Sequence, residues 1–310
     1  MGASARRGTG VRSLTAGPAA AQTPAVDMSV WAMLGVFGVG LASGVLSGMF
    51  GIGGAVLTTP GIRVLGATPL EAIGSTVPPI LPGAISGTWR YSRSRLVNWR
   101  VGLVCGIAGT VLAVGGAVVS DLINPHLQML ATAGILLYTG ITTLVQARRG
   151  RTVVVVEAEG PDAEVELDLP PVDDGDDREV LEAAAAHRYP FGQIVAIGAG
   201  AGALAGLLGL GGGVVMMPAF TQILKIPMKV AVASSLVAVA IFSIPALVTH
   251  TLLGHVNWTF ALLLTAGAVP GAQIGSKITL GATDRTLRVA FGTFVMVLAI
   301  IYGTAEILSF

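Results

Sequence analysis

Long apolar runs separated by short polar breaks dominate the chain. They fall at 28–48, 54–66, 72–89, 99–120 and 127–147. After a charged stretch at 148–190 they resume at 191–208, 213–225, 230–253, 257–277 and 287–308. A helix that crosses a bilayer needs about 20 mostly apolar residues for a hydrocarbon core of roughly 30 Å. Most of the runs meet or approach that length. The runs at 54–66 and 213–225 do not: at ~1.5 Å per residue each covers only about 20 Å. The pattern predicts an all-α, polytopic transmembrane bundle with a short broken helix in each half.

The two series of runs read as one series written twice. Gly44-Val-Leu-Ser-Gly-Met-Phe-Gly-Ile-Gly-Gly-Ala-Val-Leu-Thr-Thr-Pro60 aligns with Gly202-Ala-Leu-Ala-Gly-Leu-Leu-Gly-Leu-Gly-Gly-Gly-Val-Val-Met-Met-Pro218, with 8 of 17 positions identical. One extra residue in the second copy brings Ser75-Thr76 onto Ser234-Ser235 and Asn98-Trp99 onto Asn257-Trp258. Internal duplication recurs in secondary transporters. The expected organisation is a polar arm at 1–27, a first membrane repeat at 28–147, a linker at 148–190 and a second repeat at 191–310. The arm carries Arg6, Arg7 and Arg12, but no apolar core follows before Ala25, so it reads as a disordered arm rather than a signal peptide. The linker is charged and largely acidic, a composition that stays solvated. Val153–Val156 could form a strand there, with no partner in view.

Composition sharpens the class. Hydrophobic residues make up 53% of the chain and charged residues 11%, against about 25% charged in soluble domains. Mean hydropathy is +0.78. Twelve of the 17 acidic residues lie between Glu157 and Glu182, which leaves the membrane body basic. No basic tract with interleaved aromatics points to nucleic acid. The single cysteine, Cys105, reads as an apolar packing residue. The chain is therefore placed as a multi-pass protein of the cell membrane, with the lipid bilayer as its surroundings.

Charge placement bears on topology, because Lys and Arg favour cytoplasmic loops. In the first copy they cluster at Arg90–Arg100 and Arg148–Arg151. In the second copy the loop equivalent to Arg90–Arg100, Thr249–Asn257, has none, and the basic positions are Lys225, Lys229, Lys277, Arg285 and Arg288. The swap is what an inverted-topology repeat produces. It requires an odd number of crossings per copy, satisfied by five if each short run folds back on its predecessor as a hairpin. The arginines of the arm then fall outside, against the charge rule. Four crossings per copy, giving parallel repeats, is the alternative.

The glycine clusters that interrupt the apolar runs are the candidate chemistry. Backbone at membrane depth must be satisfied or must line a wet cavity. A short helix follows each cluster, so a helix N-terminus lies inside the membrane, where free N–H groups and the positive dipole end favour an anion. Gly51, Gly53 and Gly54 in the first loop and Gly209, Gly211, Gly212 and Gly213 in the second are expected to present backbone to a small anionic substrate. Close helix packing through Gly-x-x-x-Gly spacing is the competing explanation for any single glycine. Thr58, Ser75, Thr76, Ser234 and Ser235 could complete the ligand shell or could bond their own helices. Gln273 could contact substrate or a neighbouring helix, and Trp99 and Trp258 read as interface anchors. No Gly-Lys-Ser/Thr follows the glycines and no strand frames them, so neither a P-loop nor a dinucleotide fingerprint is present. No metal motif or intramembrane carboxylate pair occurs, and neither cofactor, metal nor catalytic residues are expected.

The block Gly51-Ile-Gly-Gly-Ala-Val-Leu-Thr-Thr-Pro60, repeated as Gly209-Leu-Gly-Gly-Gly-Val-Val-Met-Met-Pro218, resembles the sulfite exporter TauE/SafE family. The Ser/Thr pairs at 75–76 and 234–235 and the two Asn-Trp pairs agree with it. The resemblance spans 28–147 and 191–308. It implies a permease that exports sulfite or a related sulfur-containing or organosulfonate anion. Joined to the duplication, it suggests alternating access at a midplane site between the repeats. A membrane scaffold or assembly factor without transport is the alternative, with a membrane-embedded enzyme less favoured. The sequence leaves a homo-oligomer open.

Overall fold

The computed structural model describes residues 29–120, 125–149, 152–157, 164–169, 178–208 and 212–307. The first half runs α1 (Val30–Phe50), α2 (Ala55–Val64), α3 (Pro69–Thr76), α4 (Ile80–Arg93), α5 (Trp99–Ser120) and α6 (Pro125–Arg149). Then come β1 (Thr152–Glu157), β2 (Glu164–Leu169) and α7 (Arg178–Ala186). The second half runs α8 (Phe191–Leu208), α9 (Gly213–Gln222), α10 (Met228–Leu252), α11 (Trp258–Gly281) and α12 (Asp284–Ile307). Among the described residues six helices are long and apolar enough to cross a membrane: α1, α5, α6, α10, α11 and α12. Their outward faces carry Trp31, Ile107, Val111, Leu262 and Ile300, all exposed, as lipid-facing helices require.

Local sequence sets the helix ends. Ser29 caps α1 by accepting from Ala32 N–H, and Thr68 and Glu71 form a reciprocal capping box on α3. Asn257 caps α11 through its side-chain oxygen, and the Asn98 side chain likewise accepts from Val101 N–H at the start of α5. Trp99 and Trp258, the first residues of those helices, are half exposed. The short runs form short helices as their length predicts. At 10 residues each, α2 and α9 span about 15 Å.

Three expectations need correction. The run at 72–89 is not one span. Val77-Pro78-Pro79 separates α3 from α4, because proline lacks an N–H and crowds the preceding turn. The run at 230–253, by contrast, is continuous in α10. The strand at Val153–Val156 does have a partner: β1 pairs antiparallel with β2, Thr152 opposite Leu169. The 148–190 segment is not solvated throughout, since Leu181, Ala184, His187 and Tyr189 are buried at its end.

Helix contacts are made through small residues. Without a hydrophobic drive between helices in lipid, close approach and dispersion hold them together. On α1, Gly40, Gly44 and Gly48 lie against the backbone of Leu264, Ala268 and Ala272 on α11; both sequences ascend together, so the helices run parallel. On α8, Gly198 and Gly202 lie against Cys105 and Gly109 of α5 in the same sense. The helices α6 and α12 pack the other way: Gly140 meets Gly292 and Met296, while Ala133 approaches Gly303, so they are antiparallel.

A candidate anion site between two helix starts

The first glycine loop is built by its own geometry. Gly51 ends α1 at φ 68°, and Gly53 and Gly54 follow at φ 82° and 72°. Side chains rarely adopt such a backbone. The buried end of α1 is satisfied from neighbouring helices. Tyr91 O–H donates to Gly48 O at 2.6 Å and Thr279 to Met49 O at 3.2 Å. Gly54 O accepts from the Ser43 hydroxyl at 2.8 Å, which folds α2 back along α1 as a hairpin.

A small cavity lies beside this loop, lined by Ser43, Ser47, Gly53, Gly54, Thr58, Thr76, Pro79, Ile80 and Gly83. Its free space is about 10 Å³, on the scale of one water. Two helices start at its wall, α2 after Gly54 and α4 after Pro79. The first N–H groups of a helix have no partner within it and carry its positive partial charge. Most of that capacity is used locally or missing: Ala55 N–H bonds Gly53 O, Leu57 and Thr58 N–H bond Gly54 O, Ile80 N–H bonds Val77 O, Gly83 N–H bonds Pro79 O, and Pro82 has no N–H, which leaves the first-turn N–H groups of Val56 on α2 and Leu81 on α4. The hydroxyls divide in the same way. Thr58 bonds back to Gly54 O at 3.3 Å, and Thr76 shares Thr59 Oγ1 at 3.3 Å. Ser47, 5% exposed and lining the cavity, makes no side-chain hydrogen bond among the described residues.

The remaining predicted residues lie elsewhere. Ser75 Oγ accepts from the backbone N–H of Asn257 at 2.8 Å, and Ser234 Oγ accepts from that of Asn98 at 3.0 Å. Each half therefore holds the capping asparagine of the other. Ser235 donates to Gly51 O at 3.2 Å and to Val232 O at 2.9 Å. Gln273 bonds Ser86 on α4, 2.8 Å to its carbonyl and 2.9 Å to its hydroxyl, so it contacts a neighbouring helix. Gly212 precedes α9 and lies against the Phe242 ring. A β-carbon on Gly213 would stand 2.5 Å from Gly51 O, so the second loop meets the first there. Gly209 and Gly211 lie outside the described residues.

Sequence reading missed Ser43, Ser47, Pro79, Ile80 and Gly83. The signals were available: Ser43 and Ser47 are one helical turn apart on one face, and Pro78-Pro79 marks a helix break. Among the described residues no group of three or more His, Cys, Asp or Glu could hold a metal. The buried carboxylate of Asp284 is neutralised by Arg288 at 2.5 Å and accepts from Met228 N–H at 2.8 Å.

Comparison with known proteins adds the lineage. Residues 36–302 match the family model described as Sulfite exporter TauE/SafE. The chain is 27% identical over 265 residues to the protein named probable membrane transporter protein YunE of Bacillus subtilis, covering 80% of this chain and 89% of that one. It is 26% identical over 283 residues to a probable membrane transporter protein of Xylella fastidiosa strain Temecula1, covering 88% and 95%. The protein named probable membrane transporter protein MJ0441 of Methanocaldococcus jannaschii is 23% identical, with 84% and 92% covered. No solved structure matches the chain.

Proposed function

The chain belongs to the sulfite exporter TauE/SafE family, and on that premise we propose that it is a permease exporting a small anion, sulfite or a related sulfur-containing or organosulfonate anion. One observation carries this reading: α2 and α4 both begin at a buried, hydroxyl-lined cavity within the bundle. Broken membrane helices whose N-termini converge on one point suit an anion held by backbone N–H groups. Ser47, buried and without a partner among the described residues, supplies a hydroxyl donor. The present cavity is smaller than sulfite, so binding requires the walls to part. Alternating access would part them.

An inverted pair of repeats supplies the motion. In the sequence matching, α6 and α12 are equivalent, and they pack antiparallel. The parallel pair α1 and α11 corresponds to the parallel pair α8 and α5. Both relations follow if one half is the other turned over in the membrane, and parallel repeats would make α6 and α12 parallel. The cavity is walled by α1 to α4 and closed by Ala268 of α11, a contact across the two halves that is in keeping with this reading.

The driving force in this reading is the membrane potential. Asp284, the buried carboxylate named above, is already paired, which gives no support to a carboxylate proton relay. Moving one negative charge out of a negative-inside cell gains about 2.3 kcal/mol per 100 mV.

The test is sulfite efflux from liposomes holding the purified protein under an inside-negative potential. Saturable efflux that falls when the potential is collapsed, and that is lost in a folded Gly53→Val variant, is the expected result. Absence of flux for sulfite and a panel of small sulfonates from correctly folded protein overturns the reading.

A further inference from the structure

The two halves match in sequence but not in what surrounds their glycine loops. In the register that pairs the two Gly-x-Gly-Gly blocks, Ser43 corresponds to Ala201, Ser47 to Ala205 and Thr58 to Met216. In the register that pairs Ser75 with Ser234, Gly83 corresponds to Phe242. Every polar side chain but Thr76 that lines the first cavity therefore has an apolar counterpart, and Gly83, which also lines it, has a large ring as its counterpart. That ring is placed to fill the space. Phe242 stands between α5 and the start of α9, so that a β-carbon on either Gly109 or Gly212 would run into it. A β-carbon on Gly83, by contrast, would find only Ala268 Cβ at 3.7 Å, an ordinary contact. The helix break repeats the asymmetry. Pro78-Pro79 gives the first half a second helix start at the cavity, whereas α10 runs unbroken through Val237 and Ala238.

We propose that the chain carries one anion site, in its first half, and that Phe242 closes the equivalent position in the second. The proposal rests on the permease reading and adds which half binds and which residue excludes the anion from the other. A site with hydroxyls and two helix starts favours a charged ligand. The corresponding positions Ala201, Ala205, Met216 and Phe242 carry no hydroxyl, and the Ser235 hydroxyl, equivalent to Thr76, is already committed to Gly51 O and Val232 O, so desolvating an anion there has little compensation. The second half then serves as the moving wall rather than as a second binding surface.

Cysteine accessibility tests this with the small anionic thiol reagent sulfonatoethyl methanethiosulfonate as probe. The native Cys105 is fully buried and supplies a low background. Thr58→Cys and Met216→Cys occupy equivalent positions in the two halves. The Thr58 cysteine is expected to react on the order of tenfold faster than the Met216 cysteine. Adding Phe242→Ala should raise the rate at the Met216 cysteine towards that at Thr58, with Phe242→Leu as the milder variant if the alanine form does not fold. Equal rates at both positions with Phe242 intact, or no response at Met216 to either Phe242 variant, overturns the one-site proposal and leaves a permease with two sites or a different occluding group. Sulfite flux measured on the wild-type protein separates the two claims: its absence strikes the permease reading, whereas flux combined with an unreactive Thr58 cysteine strikes the assignment of the site to the first half.

Discussion

At the scale of single residues, the first glycine loop separates conformational need from space. Gly53 sits at φ 82°, and a β-carbon there would lie 2.9 Å from Val239 Cγ1. Gly66 has φ 100° with nothing within 4 Å. A left-handed backbone costs an L-residue about 1–2 kcal/mol wherever it occurs. Gly66→Ala should therefore lower stability by that amount and leave efflux intact, while Gly53→Ala should carry the same strain, push on α10 and lose transport. Thermal unfolding alongside liposome flux distinguishes them, and flux unaffected in Gly53→Ala would remove this loop from the site. The two serines of α1 differ in kind. Ser43 holds Gly54 O at 2.8 Å, so Ser43→Ala should cost roughly 1 kcal/mol of stability. Ser47 has no such bond to lose. Ser47→Ala should leave the unfolding temperature unchanged and raise the sulfite concentration for half-maximal flux on the order of tenfold, the value of one hydrogen bond to a charged ligand.

At the scale of elements, the reciprocal bonds of Ser75 to Asn257 and Ser234 to Asn98 join the halves. Removing either hydroxyl strands a buried backbone N–H, a loss of about 1–3 kcal/mol. Ser75→Ala and Ser234→Ala should lower stability by similar amounts, read from denaturant midpoints in detergent. A large difference between them would show that the joints are not equivalent. The Thr68–Glu71 box at the start of α3 adds a pH dependence. Hydrogen bonds from the Thr68 hydroxyl and backbone N–H hold the Glu71 carboxyl below its ordinary value of 4.5. Its contribution is thus complete above that value and disappears as pH falls through the lowered folded-state pKa. The group is largely solvated, so the effect is small. It should disappear in Glu71→Gln, as seen in acid titrations of thermal stability. The first glycine loop and the two short helices were legible in the sequence because length and glycine spacing act locally. The split at Pro78-Pro79 was legible too and was passed over because the run is apolar throughout. The cross-half serine bonds were not legible, since a hydroxyl's partner depends on which helices meet and no local pattern encodes that.

At the scale of the whole molecule, contacts between loops sort the charges. Met228 N–H bonds Asp284, Arg288 bonds Gln146 at 3.0 Å, and the Asn98 side chain bonds His187 O at 2.9 Å. The basic segments at Arg90–Arg100, Arg148, Lys225–Lys229 and Arg285–Arg288 therefore gather on one face. The loop from α10 to α11 lies at the other face, where His255 O meets Gly74 and the Asn257 side chain bonds Glu71 at 3.5 Å. The charge rule favours the cytoplasm for the basic face, which is the orientation we propose. In the inverted arrangement we propose, the swap of basic loops between the copies becomes a single basic face, in keeping with the antiparallel packing of α6 and α12. A sequence shows the swap but not which helices lie side by side, so it left parallel repeats open. The two arrangements predict different labelling. Arg95, in the turn between α4 and α5, and Leu253, just after α10, are both exposed and lie in equivalent loops of the two copies. In intact cells an impermeant thiol reagent should label Leu253→Cys directly and Arg95→Cys only after the membrane is opened. Labelling of both from one side would mean parallel repeats, and would remove the turned-over relation on which the rocking of one half against the other depends.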